Sequence, residues 1–196
     1  MEADWAVEIH KDAPLIVVPW TDEDSDIRYV DLRASPDSAS EIPEAKACPA
    51  LQRTLEAWNA PQSAVFTSKC DLWNVPAADL DPLEMELDPD SSLVSGLACY
   101  IDVLLREPRD FANFDMQETW LRALCAELRG WNCPGARADF VIRQAIHGDA
   151  SGYASTLYVV AAGATSDEVQ SRLERALDRV ATLVSAGPQG VQHLPL

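Results

Sequence analysis

A four-residue signature occurs twice in this chain, and that repetition limits its architecture more than any other feature. Trp58-Asn59-Ala60-Pro61 returns as Trp131-Asn132-Cys133-Pro134. Each copy follows an amphipathic helical run and precedes a strand-like run that opens near a phenylalanine, Phe66 or Phe140. An upstream echo sits at similar distances: Tyr29-Val30-Asp31-Leu32 before the first copy, Tyr100-Ile101-Asp102-Val103 before the second. A fainter third copy carries Tyr158-Val159-Val160-Ala161, a helical run, and Gly187-Pro188. Self-similarity of this kind marks supersecondary units that bury their apolar faces against one another. The signature itself reads as a helix stop. Trp completes the apolar stripe, Asn tolerates the left-handed conformation past a helix end, and Pro prevents continuation.

Hydrophobic periodicity fills in the units. Residues 5–20 read as strand material broken at Lys11-Asp12-Ala13-Pro14, and 28–33 alternates cleanly, with Val30 and Leu32 on one face and Tyr29, Asp31 and Arg33 on the other. Pro49 opens a helix with the stripe Leu51, Leu55, Trp58. The second unit has strands at 64–75 and 97–106, separated by an acidic, proline-rich excursion loop at 76–95. Its helix, 114–129, has Asp115 and Glu118 in capping-box spacing, the stripe Leu121, Leu124, Cys125, Leu128, and Gly130 as its stop. The third unit has strands at 138–147 and 153–162 around a hairpin loop at 148–152. Its helix is capped by Thr165 and Glu168 and runs to about residue 185.

The expected fold is therefore α+β: a two-layer structure with a mainly antiparallel sheet and three helices on one face, built from three β-β-α quasi-repeats at about 5–60, 64–133 and 137–188. At 196 residues the chain fits a single globular domain spanning 1–196.

Composition excludes several classes of function. A net charge of −17 repels phosphate backbones and anionic lipid, and no Lys/Arg run offsets it, so neither nucleic acid nor membrane is an expected partner. The N-terminus is acidic and lacks an apolar signal segment, and no apolar run reaches the ~20 residues that span a bilayer. The cysteines at 48, 70, 99, 125 and 133 are odd in number and form no C-x-x-C pair, which points to a reducing, cytoplasmic setting. No H-x-x-H or H-E-x-x-H pattern, EF-hand loop, P-loop, dinucleotide fingerprint or G-x-S-x-G elbow occurs, so no metal, cofactor or catalytic residue is expected, and no motif decides whether the chain is an enzyme.

If helices cover one sheet face, the alternation gives the other face to Tyr29, Asp31, Arg33, Lys69, Asp71, Trp73, Tyr100, Asp102, Arg143, His147 and Tyr158, and all of these but Arg33 and His147 are the nine candidate binding residues. Opposite charges among aromatics suit a polar ligand, because tyrosine supplies apolar area and a hydroxyl together. Two functions are expected on these grounds. One is a non-enzymatic module that binds a protein partner or associates with itself. The alternative is a small-molecule-binding domain or enzyme using Lys69, Asp71, Asp102 and Arg143 on that face.

Overall fold

The computed structural model describes residues 1–21 and 28–188, with helices alongside a mixed six-stranded sheet. In chain order the elements are β1 (Glu2–Glu8), β2 (Ile16–Val18), α1 (Pro43–Ala47), α2 (Pro49–Asn59), β3 (Val65–Pro76), β4 (Ser95–Leu105), α3 (Pro108–Phe111), α4 (Phe114–Arg129), β5 (Ala136–His147), β6 (Ala150–Gly163) and α5 (Ser166–Ser185). The sheet runs β1-β5-β6-β4-β3, with β2 also on β5. Two antiparallel hairpins, β3–β4 and β5–β6, meet where β4 pairs antiparallel with β6. The β5–β6 turn needs only Gly148 and Asp149, tighter than the sequence suggests, and Gly148 supplies the positive φ of 59° that such a turn requires.

The sheet is mixed rather than mainly antiparallel because β1 and β2 both run parallel to β5. Glu2–Glu8 lie against Arg137–Arg143, and Ile16–Val18 continue the row against Ala145–His147. The two are thus one interrupted edge strand, with residues 9–15 looped out of the ladder.

The helix stripes are where periodicity puts them. Leu51, Leu55 and Trp58 of α2 are buried, and so are Val169, Leu173, Leu177, Val180 and Val184 of α5. Helix α2 packs on α5, α5 packs on β6 and β4, and α4 lies along β1. At the start of α5, Thr165 accepts from the Glu168 amide (3.2 Å) while the Glu168 carboxylate accepts from the Ala164 amide (2.9 Å). For α4 the cap is Asn113, which accepts from the Met116 amide at 3.1 Å, and not Asp115. Gly130 keeps a right-handed φ of −70°. Past the end of α2, the Arg106 guanidinium donates to the carbonyls of Asn59, Ala60, Ser63 and Val65, giving the orphaned C-terminal oxygens a charged partner.

No strand forms at 28–33. Arg28 makes an isolated bridge with Thr21, and a turn comes next. Asp31 accepts the Arg33 amide (3.1 Å) and both arms of its guanidinium (2.8 and 2.7 Å), and its carbonyl takes the Ala34 amide at 3.2 Å. Local side-chain bonding of this kind competes with ladder pairing and here wins.

The repeated signature also takes two conformations. Trp58 is inside α2, fully buried, and donates from Nε1 to the Ala181 carbonyl at 3.1 Å. Asn59 is buried too: its Nδ2 donates to Leu55 O (2.8 Å) and Thr67 Oγ1 (2.7 Å), and its Oδ1 accepts the Thr67 amide at 3.1 Å. Trp131 lies beyond the end of α4, half-buried under the Arg175 guanidinium, 5.5 Å from the ring centroid, and Asn132 is exposed. The excursion 76–95 contains two short 3-10 turns and folds back so that buried Met85 accepts the Gly135 amide at 2.7 Å. Among the described residues no helix is long and apolar enough to cross a membrane.

The two tryptophans should therefore differ energetically. Trp58→Ala empties a closed core site and should cost about 3–5 kcal/mol in urea unfolding. Trp131→Ala should cost about half of that or less, since an exposed cation–π contact contributes ~0.5–1 kcal/mol. Equal losses would contradict the different burial.

Candidate functional site

The β4–β6 register sets the site. Tyr100 lies opposite Tyr158 and Asp102 opposite Thr156, while the intervening Ile101 and Leu157 are buried in the core on the other side. From β5, Arg143 pairs in register with Ala154, whose small side chain leaves room for the guanidinium to reach along β6. Its Nη1 donates to Thr156 Oγ1 (2.7 Å) and Tyr158 OH (3.3 Å). Its Nε and Nη2 both donate to Glu8 Oε2, at 3.1 and 2.8 Å, and Glu8 is its register neighbour on β1.

The row continues to Asp102. Thr156 Oγ1 donates to Asp102 Oδ1 at 2.6 Å. Arginine has no acceptor, so the Thr156 oxygen must accept from Arg143 and its single proton is directed to Asp102. Asp102 is 7% exposed. Burial raises its pKa, and the Thr156 hydrogen bond and the charges of Arg143 and Lys69 pull the other way.

A β-bulge brings in Lys69. Thr67 pairs with Val103 and Cys70 with Ile101, so Ser68 and Lys69 together oppose Asp102 alone. The Lys69 ammonium lies 4.6 Å from the Trp20 ring centroid, and Trp20 Nε1 donates to the Ser68 carbonyl at 3.3 Å. Residues 14–17, in or beside β2, and 19–21 complete the lining of a half-open cavity of about 430 Å³ shared with Ser68, Lys69, Tyr100, Asp102, Arg143, Thr156 and Tyr158.

The nine residues expected on this face therefore divide. Lys69, Tyr100, Asp102, Arg143 and Tyr158 converge on the cavity. Trp73 and Asp71 stand at its margin: Trp73 packs on Tyr100 with centroids 6.3 Å apart, and exposed Asp71 is the register partner of Tyr100. Burial, then Asp102 and Asp71, push the Tyr100 hydroxyl up to about 12. Tyr29 does not line the cavity. Its ring meets Trp20 edge-on at 6.4 Å, and its buried hydroxyl has no partner among the described residues. Asp31 belongs to another cluster, where Arg33 sits 4.5 Å over Phe66 and 2.8 Å from His147 Nε2. The Arg33 hydrogen bond holds the Asp31 carboxyl below its usual range, and burial, then the Arg33 charge, lowers His147.

The sequence pattern did not reveal Thr156, Glu8, Ser68 or the 14–21 wall. Thr156 shares the phase of Tyr158 on a legible strand, so alternation could have found it. The others depend on a bulge and on parallel pairing across more than a hundred residues, for which the sequence carries no local signal. Burial, then Glu44 and Asp71, push the Cys70 thiol up to about 12, so it stays protonated rather than nucleophilic. Among the described residues no cluster of His, Cys, Asp and Glu could hold a metal ion.

Thr156→Val removes the donor to a buried carboxylate and should cost about 1–3 kcal/mol in urea unfolding, and clearly less in an Asp102→Asn background. The pH dependence has a definite sign. Asp102 binds its proton more tightly folded than unfolded, so its stabilising contribution is complete below the ordinary carboxylate pKa of about 3.9 and is lost as pH rises through the raised folded value. Asp102→Asn should therefore gain stability relative to the natural chain across that window. A relative loss would mean that Thr156, Arg143 and Lys69 outweigh burial.

No protein-family model, curated protein or solved structure matches the chain, so the reading of the cavity rests on its own geometry.

Proposed function

We propose that the protein is a small-molecule-binding domain whose polar ligand occupies the cavity between β4, β5 and β6 and the 14–21 wall. The observation that carries this reading is the convergence of Lys69, Tyr100, Asp102, Arg143 and Tyr158, from different strands, on one concavity with a buried carboxylate in its wall. A volume near 430 Å³ falls within the ~300–1,000 Å³ typical of ligand pockets. Four N–H bonds already hold the Arg143 guanidinium in place, which is the preorganisation a binding site needs. The hydroxyl–carboxylate pair in the lining, Thr156 with Asp102, is tied down by Arg143 as part of the wall, which supports binding rather than catalysis.

Related parts of the reading go with it. We take α2, α4 and α5 as one layer that leaves the cavity-bearing face free, and the contacts of α5 with β4, β6 and α2 support this. The shared hairpin–helix order of 64–133 and 137–188 supports a duplication of those two units, with the first unit not conforming. Free cysteines, mostly buried, support a cytoplasmic location.

A second reading, self-association, draws on the sheet edge: Val7, Ile9 and Val17, on or beside β1 and β2, are 39–40% exposed. Light scattering across a concentration series separates the two, since a monomer at all concentrations removes the second reading.

The first reading is tested by thermal shift against a metabolite library, using the natural chain beside Lys69→Ala and Tyr158→Phe. A true ligand at 100 times its Kd adds about 2.7 kcal/mol to the natural chain. Both variants should show a smaller shift. A library that stabilises none of the three, or all three equally, would remove the cavity as a site.

A further inference from the structure

We infer that the occupant of this cavity is an amino-acid-like zwitterion, its protonated amine received by Asp102 and its anionic group turned toward Lys69; the inference rests on the cavity being a binding site. The first ground is the unspent hydrogen-bonding capacity of the lining. Arg143 directs the Thr156 proton onto Asp102 Oδ1, and among the described residues Thr156 is the one hydrogen-bond donor to that carboxylate. A carboxylate has about four lone-pair sites, so Asp102 presents further acceptor capacity at the cavity wall. A buried charge with capacity left over is stabilised most by a charged donor, and an ammonium is the smallest that fits.

The donors point to the other end of the ligand. Arg143 is committed to Glu8, Thr156 and Tyr158, so it positions the wall rather than gripping a ligand anion. Tyr158 accepts from Arg143, which leaves its own O–H to donate, and the hydroxyl of Tyr100 remains protonated. Lys69 adds an ammonium poised over Trp20. These are partners for a carboxylate or another acceptor, and they share the Asp102 sheet face: Tyr100 two residues along β4, Tyr158 beside it on β6, and Lys69 on β3.

Competing ligand classes fit less well. A phosphate or a lone carboxylate could meet Lys69 but would add a second negative charge beside Asp102, with the guanidinium already spent. A polyol could satisfy the donors and acceptors but would leave the buried charge unpaired. The net charge of −17 enriches cations around the whole molecule.

The test is isothermal titration of the full chain with matched probes: L-phenylalanine, phenethylamine, 3-phenylpropionate and glucose. Phenylalanine and phenethylamine should bind, with the other two at least about tenfold weaker, the factor that separates one charge-assisted contact. Asp102→Asn should weaken both amines by about tenfold or more, and Lys69→Ala should weaken phenylalanine at least about tenfold more than phenethylamine. Thr156→Val, which keeps the carboxylate but frees its orientation, guards against a misfolded Asn variant and should weaken both amines less than Asp102→Asn does. Binding of 3-phenylpropionate or glucose at least as tight as the amines, lost in Lys69→Ala, would overturn the zwitterion while leaving the cavity as a site. Absence of amine binding up to about 10 mM would overturn it as well, and if the metabolite library is also silent the cavity reading falls with it.

Discussion

The antiparallel register between β4 and β6 decides where both the core and the cavity lie. Ile101 opposite Leu157 and Cys99 opposite Val159 send an apolar set to one side, and Asp102 opposite Thr156 and Tyr100 opposite Tyr158 send a polar set to the other. A slip of one residue would exchange the two sets, placing a carboxylate and two phenols in the core. The apolar burial beneath therefore enforces the alignment of the polar groups above. Arg143 and Glu8 extend that alignment across β5 to the sheet edge, where the guanidinium has its carboxylate partner before any ligand arrives.

Elements with a strong period were legible: β3 to β6, α2, α4 and α5 all lie close to where alternation or a helical stripe puts them. The strand expected at 28–33 failed because alternation is a statement about burial, and Asp31 with Arg33 offered the backbone a nearer hydrogen-bonding solution. The duplicated Trp-Asn-x-Pro failed in a different way. Four residues are too few to specify a conformation, and the partner downstream decides: Thr67 bonds Asn59 on two sides, whereas Asn132 stays exposed. Of the candidate site, the part on paired strands could be read from phase. The part supplied by residues 14–21 could not, because a parallel pairing between chain segments so far apart leaves no trace in local pattern.

Irregularities in the ladder do much to make the site. Alternation counted from buried Thr67 would send Lys69 inward, and the bulge at Ser68-Lys69 turns it toward Asp102 instead. The interruption between β1 and β2 releases residues 9–15 while β5 remains paired on both sides of the gap, so the segment after it is anchored close to the sheet rather than carried away. Each departure adds residues at one point and leaves the flanking hydrogen bonds intact.

The cavity is assembled from segments near residues 15, 68, 101, 143 and 157, drawn from almost the whole length of the described chain. No fragment of the protein holds a majority of its lining within one hairpin, so site formation and completion of the sheet are a single event. A molecule bound there would bridge the two hairpins and the edge strand at once. Its binding energy would oppose the cooperative opening of the entire sheet, and would register as slower hydrogen exchange at core amides far from any contact.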